Sequence, residues 1–143
     1  MSQPVRPLGV LIAIAVPFTF AAIGLAGIRQ QAVIDQYVAL AKAKDPAFAG
    51  FSAARGKAFF LARRAGGNPE TASCSSCHTS DPTKPGQTRA GQAIDPMAVS
   101  ANADRFTDFA KDEKWFKRNC STVLQRECTP VEKGDFISFM VDQ

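Results

Sequence analysis

Histidine is almost missing from this 143-residue chain; His78 is the only one. That excludes a His-rich metal site, makes a catalytic triad with a spare imidazole hard to build, and rules out a haem held by two histidines of one chain. Charge of one sign is also scarce. The 17 Lys and Arg against 13 Asp and Glu leave +4, far from a typical nucleic-acid-binding module, so no nucleic-acid partner is expected. No internal repeat, no low-complexity tract and no strand-like alternation stands out. With 45% hydrophobic and 21% charged residues, the chain is globular rather than disordered. Its chemistry must be organised around one ring.

One long apolar run is present. Residues 8–28 are apolar apart from Thr19, and Arg6 supplies a positive start. This is the pattern of an export signal, or of an uncleaved anchor approaching the ~20 residues of a spanning helix. Gly24-Leu25-Ala26 offers small residues for cleavage after Ala26. The chain therefore divides into 1–26, a signal peptide or N-terminal membrane anchor, and a domain at 27–143. Both alternatives place the domain outside the cytoplasm, in the periplasm, either soluble after cleavage or tethered to the inner membrane through residues 8–28. Cleavage leaves 117 residues and a net charge of +3. A domain of that size is at the small end for a self-sufficient core, and a large buried apolar cofactor would help it.

The rest reads as all-α. Val33, Ile34, Tyr37, Val38, Leu40 and Ala41 recur at helical spacing between Ile28 and Lys44, and Asp45-Pro46 stops that helix. Ser52 caps a second helix expected to run to about Arg64, with Phe59, Phe60 and Leu61 on its apolar side and Gly66-Gly67 ending it. A long stretch without periodicity, rich in Pro, Gly, Thr and Asp, spans Thr79 to about Asn102; loops of this length are usually functional or disordered. A third helix is predicted over Ala110–Leu124 and a last one from Pro130, a good first helical residue, to Val141. Gly56 and Phe60 against Phe136 and Phe139 suggest a helix–helix packing contact.

Cys74-Ser75-Ser76-Cys77-His78 is a C-x-x-C-H box, the haem attachment signature. Two thiols three positions apart reach both vinyl groups of one porphyrin edge as thioethers. The next side chain, His78, then supplies the proximal imidazole. Export fits, because c-type haem is attached outside the cytoplasm. Two other chemistries use such cysteines. A thioredoxin-like dithiol wants a preceding strand and a βαβ surround, and neither is visible. A zinc site would recruit Cys120 and Cys128, but seven residues separate them, more than the two to four of a zinc knuckle. Covalent haem c is the cofactor the box favours. Cys120 and Cys128 are then the thiols left to pair as a disulfide in an oxidising compartment, the alternative being two free buried cysteines.

With His78 committed, the far side of the iron has two serious candidates. Met97 lies in the long loop, 19 residues after His78, which is short for a chain that must wrap the haem. Its soft thioether favours Fe(II) and suits an electron carrier, and it also serves as adaptable apolar filler. Asn119 lies 41 residues after His78. It shares a helix face with Trp115 and Val123 at i, i+4 and i+8. An amide on an apolar stripe needs a partner, and iron is one; capping a helix end near Cys120 is another. Spacing alone leaves Met97 and Asn119 open.

The chain resembles the SHP family, the "sphaeroides haem protein" class of oxygen-binding cytochromes c, over about Gln31 to Gln143. The resemblance is carried by Gly66-Gly67 with Pro69, the Cys74–His78 box, and Gly86-Gln87-Thr88-Arg89 followed by Gly91, Ile94 and Pro96. It continues through Arg105-Phe106-Thr107-Asp108, Glu113-Lys114-Trp115-Phe116 and Arg118-Asn119-Cys120, then Arg126, Cys128-Thr129 and Glu132-Lys133-Gly134-Asp135. It implies a small class I-like cytochrome c fold, a sixth ligand at Asn119 and a Cys120–Cys128 disulfide. It also implies that reduction frees the iron of its weak amide ligand, opening it to O2, NO or CO. A dihaem cytochrome c or a membrane cytochrome b is the electron partner it suggests.

Other residues are placed around this site. Trp115 packs on the porphyrin, donates its N–H to a propionate, or sits in the core. Arg89 and Arg105 are candidates for propionate pairing, where a guanidinium fork matches a carboxylate. Lys111, Lys114, Lys117 and Arg118, interspersed with Asp108, Asp112 and Glu113, form a charged helix face able to steer an acidic redox partner. No general acid or base stands out near the motif. The leading function is therefore one-electron transfer with diatomic ligand binding after reduction. The rivals are a plain His78/Met97 electron carrier and, ranked lowest, an enzyme reducing O2, peroxide or a nitrogen oxide.

Overall fold

The computed structural model describes residues 25–65 and 68–143. The expected signal or anchor at 1–26 and the Gly66-Gly67 helix end thus fall largely outside the described residues. Among the described residues no helix is long and apolar enough to cross a membrane.

Helix α1, Leu25–Lys44, buries Gln30, Val33, Tyr37 and Ala41 along one stripe, the spacing of one helical face. Gln30 fastens it to the Ala103–Arg105 segment. Its Nε2 donates to the carbonyls of Ala103 at 3.0 Å and Arg105 at 2.7 Å. Helix α2, Ala53–Leu61, starts on the Ser52 hydroxyl, which accepts from the Arg55 amide. It ends three residues before the expected Arg64. The Ala62 amide still closes on the Ala58 carbonyl, but Arg64 N–H donates to the carbonyl of Ala72 at 2.7 Å, drawing the chain away toward the Cys74 segment. A 3-10 turn at Pro69–Thr71 and a single helical turn α3, Ser75–His78, follow.

Among the described residues, the long loop contains the one departure from an all-helical reading. Gly86–Gln87 (β1) and Ala93–Ile94 (β2) form a two-residue antiparallel ladder, closed by a turn in which Gly91 takes φ +78°, a conformation open to glycine. Two residues per strand carry no alternation for a sequence reading to detect. Beyond it the Met97 and Ala98 amides both donate to the Pro82 carbonyl at 2.9 Å, so the segment is folded back on itself.

Helix α4, Phe109–Leu124, is capped by the Asp108 carboxylate accepting from the Lys111 amide. Helix α5, Pro130–Val141, carries a capping box: the Thr129 hydroxyl accepts from the Glu132 amide and the Glu132 carboxylate accepts from the Thr129 amide. This reciprocal pair satisfies two donors that a bare helix end leaves open. Within α5, Gly134, Asp135, Phe136, Ile137, Phe139 and Met140 are all buried, which makes it the central helix. It packs on α1 and α2. At Gly56 a Cβ would collide with the Asp135 carbonyl and the Phe139 Cβ, so α2 and α5 meet backbone to backbone. Phe60 fills the flank, its ring 5.9 Å from Phe136 and 5.8 Å from Phe139, as the sequence suggests. Buried Asp135 accepts from the Ser52 amide and from Arg55 at 2.7 Å, so its charge is paired and hydrogen-bonded. Phe136 also meets Phe106 and Phe116 edge-on, at 5.9 and 5.5 Å, and so joins this core to the wall of the site.

Candidate functional site

An open, largely apolar cavity lies between α3, α4 and the loop. Cys74, Cys77 and His78 line it from the α3 turn, Met97 from the loop, and Trp115, Asn119 and Val123 from α4. Phe59, Phe106, Phe116 and Phe136 supply apolar wall. The structure thus brings the C-x-x-C-H box and both axial candidates to one space.

The box is held in place from behind. At Gly86 a Cβ would overlap the Cys77 carbonyl and press on the Cα of His78. β1 can lie against α3 only because that residue has no side chain. The Ser73 hydroxyl bonds the Ser75 and Ser76 hydroxyls at 2.9 and 3.0 Å, tying the start of the turn. Burial pushes the Cys74 thiol up to about 11, the reverse of the low value that activates a disulfide-exchange thiolate. That removes support from the dithiol alternative. The zinc alternative loses its ligands: Cys120 and Cys128 are bonded to each other, Cα atoms 5.7 Å apart, and among the described residues no three His, Cys, Asp or Glu side chains converge on a metal position.

His78 is buried far enough to depress its imidazole to about 4, with the Arg105 charge pushing the same way. Its Nδ1 is shut off from water and has no hydrogen-bond partner. A neutral ring inside an apolar cavity, beside two free thiols, fits a haem c in donor type and surroundings.

Asn119 lies five residues before the end of α4, and its side chain is exposed on the cavity's open side. It is therefore not a helix-end amide; that alternative from the sequence does not describe it. Cys120 beside it is buried and bridged to Cys128, so the α4 turn carrying Asn119 is stapled to the approach to α5. Met97 is buried at 9% exposure and lines the same cavity. Trp115 is not a core residue. It is 46% exposed at the cavity wall with the Arg118 guanidinium 5.5 Å over its ring.

Arg89, expected beside a propionate, lies outside the cavity lining in an exposed ion pair with Glu70 at 2.9 Å. Arg105 donates to the carbonyls of Pro96 at 3.0 Å and Asp95 at 2.7 Å, and its charge is felt by His78 and Asp112. Lys111, Lys114, Lys117 and Arg118 are exposed along α4, as a charged face requires. Two acids of that run are not part of it. Glu113 accepts from the buried Tyr37 hydroxyl and the Lys133 ammonium, both at 2.7 Å. Asp112 is buried and lines the cavity. Sequence reasoning missed it, although its i, i+4 spacing to Phe116 and Cys120 was a usable signal.

Comparison with known proteins agrees with this site. Residues 46–140 match a family model described as a domain of unknown function, DUF1924. The cytochrome c-type protein SHP of Cereibacter sphaeroides is 52% identical over 91 residues, covering 64% of this chain and 70% of that protein. Cytochrome c'' of Methylophilus methylotrophus is 32% identical over 126 residues, covering 87% and 88%. The structure of oxidised SHP, titled an oxygen-binding cytochrome c, superposes with a TM-score of 0.72 at 46% identity, over 80% of this chain and 96% of that one. Oxidised cytochrome c'' superposes at 0.69 and 32% identity, over 81% and 95%. The solution structure of cytochrome c'' is titled for haem-ligand detachment. A haem-attachment box on a turn, an apolar cavity above it and matches of this extent lead to one conclusion: the chain belongs to the SHP family of class I-like cytochromes c and carries one covalently attached haem c.

Proposed function

We propose that this chain is an exported cytochrome c that transfers single electrons and, once reduced, binds a diatomic ligand such as O2, NO or CO where Asn119 withdraws. The observation that carries this reading is that His78 and Asn119 line one cavity from different helices. When bound, the haem would supply one-electron chemistry. Cys74 and Cys77 hold its edge as thioethers. His78, kept neutral by burial, would offer its imidazole nitrogen to the iron. The Asn119 amide oxygen, a hard and weak donor, would suit Fe(III) better than softer Fe(II). The Cys120–Cys128 disulfide limits how far that amide travels, and its persistence suits an exported protein. The oxygen-binding relative and the relative known for ligand detachment support the same reading. The basic α4 face beside half-exposed Trp115 is where an acidic surface of a dihaem cytochrome c or membrane cytochrome b docks.

Met97 gives the second reading. Buried in the same cavity, its thioether would make a His78/Met97 carrier with no open position. Optical spectra of the oxidised and dithionite-reduced protein, with and without CO, separate the two. Asn119 release predicts a high-spin ferrous spectrum that shifts with CO. A low-spin ferrous spectrum indifferent to CO, with an Fe–S(Met) absorption band in the oxidised protein, would overturn it.

A further inference from the structure

The Asp112 carboxyl is a buried acid for which electron transfer and gas binding have no use. It is 9% exposed and lines the cavity, and its Oδ2 is sealed from water with no hydrogen-bond partner. A buried polar oxygen of this kind calls for a hydrogen-bond partner.

Position identifies the partner. Asp112, Phe116, Asn119 and Val123 all line the cavity, so α4 runs along its wall. Asp112 and Asn119 are seven residues apart, about 10.5 Å along the helix axis. If Asn119 stands over the iron, Asp112 stands over the porphyrin rim, too far to touch a two-atom ligand. That rim is hydrocarbon except for its two propionate carboxyls. Arg105, anchored by the Asp95 and Pro96 carbonyls, places a positive charge near the same end of the cavity.

We propose that Asp112 is a haem-binding residue that keeps its proton and donates it in a hydrogen bond to a haem propionate, with Arg105 balancing the remaining negative charge. Two carboxyls facing each other in one site resist ionising together, so the pair holds one proton to a higher pH than either would alone. The surroundings favour this. Burial raises the Asp112 carboxyl to about 6, Asp108 and Glu113 on α4 push the same way, and Lys111 on α4 and Arg105 on the preceding loop oppose them. Reduction brings one electron from a donor protein onto the haem and strengthens the pair's hold on its proton. Over the pH range in which the oxidised pair has lost that proton, reduction takes up as much as one proton from solvent, and oxidation returns it. The apparent pKa values belong to the pair.

Asp112 has this role only if the haem occupies this cavity, so haem content is measured first, by pyridine haemochrome on wild type and D112N. Wild-type protein without covalent haem would refute the haem reading itself. With haem loaded, the reduction potential is followed from about pH 4 to about pH 8. The wild-type potential falls with rising pH through part of that range; D112N flattens this segment, and D112E restores it. The redox-difference infrared spectrum of the wild type carries a protonated-carboxyl C=O band that shifts in D2O and is lost in D112N. An unchanged pH dependence in D112N overturns the assignment. So does a wild-type difference spectrum without such a band, a measurement that stands even if D112N fails to fold.

Discussion

His78 and Asn119 face one cavity from α3 and α4, and Asn119 is followed directly by a bridged cysteine. Cys120 is buried and bonded to Cys128, while the Asn119 side chain is exposed. A stapled turn thus presents an exposed amide.

The first prediction separates the two axial candidates. N119A changes the ferric spectrum from six-coordinate toward five-coordinate or water-ligated haem, whereas M97L leaves it unchanged. Electronic absorption and electron paramagnetic resonance of the oxidised proteins check this. A ferric spectrum altered by M97L and untouched by N119A transfers the ligand role to Met97.

Opening the Cys120–Cys128 bridge loosens the turn under Asn119. The C120S/C128S protein loses roughly 2–3 kcal/mol of stability by the chain-entropy estimate for a short loop. Its ferric spectrum becomes a mixture, because the amide is no longer held at one distance. Denaturant titration followed at the Soret band gives both quantities.

Gly86 is the position where β1 touches the haem-attachment turn. G86A forces a methyl group against the Cys77 carbonyl and the Cα of His78, and overpacking of this kind costs about 1–3 kcal/mol. The yield of covalently loaded protein falls and thermal unfolding of the loaded fraction comes earlier. A loss of comparable size at Gly27, where a Cβ has open space, would show that the effect is not contact.

Two carboxyls give stability opposite pH dependences. Arg126, with the Thr129 cap, holds Glu132 below the usual carboxylate range. Its contribution is therefore present at neutral pH and is lost as pH falls through and below the ordinary glutamate value of about 4.3. T129A removes the cap and costs about 1 kcal/mol. Asp112 runs the other way. Its folded value is raised to about 6, so its contribution is full in acid and is lost as pH rises through that value. Thermal melts of D112N against wild type show the variant gaining relative stability as pH rises from about 4 to about 6, with no further gain above that. Parallel pH profiles would contradict this.

The sequence made the haem chemistry legible because thioether attachment demands two thiols and an imidazole at fixed spacing. Helices α1 and α4 were legible because each carries a buried stripe at helical period, and α5 because Pro130 marks its start. The end of α2 was not, since a tertiary bond from Arg64 to Ala72 decides it. Neither was the Gly86–Ile94 ladder, too short to leave a pattern. Asp112 was hidden in a charged run, where neighbouring lysines suggest a solvated face; only its register toward Phe116 and Cys120 marks it as inward. Arg89 was drawn to a propionate by its chemistry, but Glu70 lies within reach.

Release of Asn119 on reduction is tested most directly by the rate of CO binding to the ferrous protein, compared among wild type, N119A and M97L. If the amide leaves the iron on reduction, nothing has to dissociate before CO binds. The three proteins then bind CO at similar rates, each rising in proportion to CO concentration. A wild-type rate that levels off with CO concentration, and that M97L or N119A accelerates severalfold, would mean that a protein ligand still holds the reduced iron.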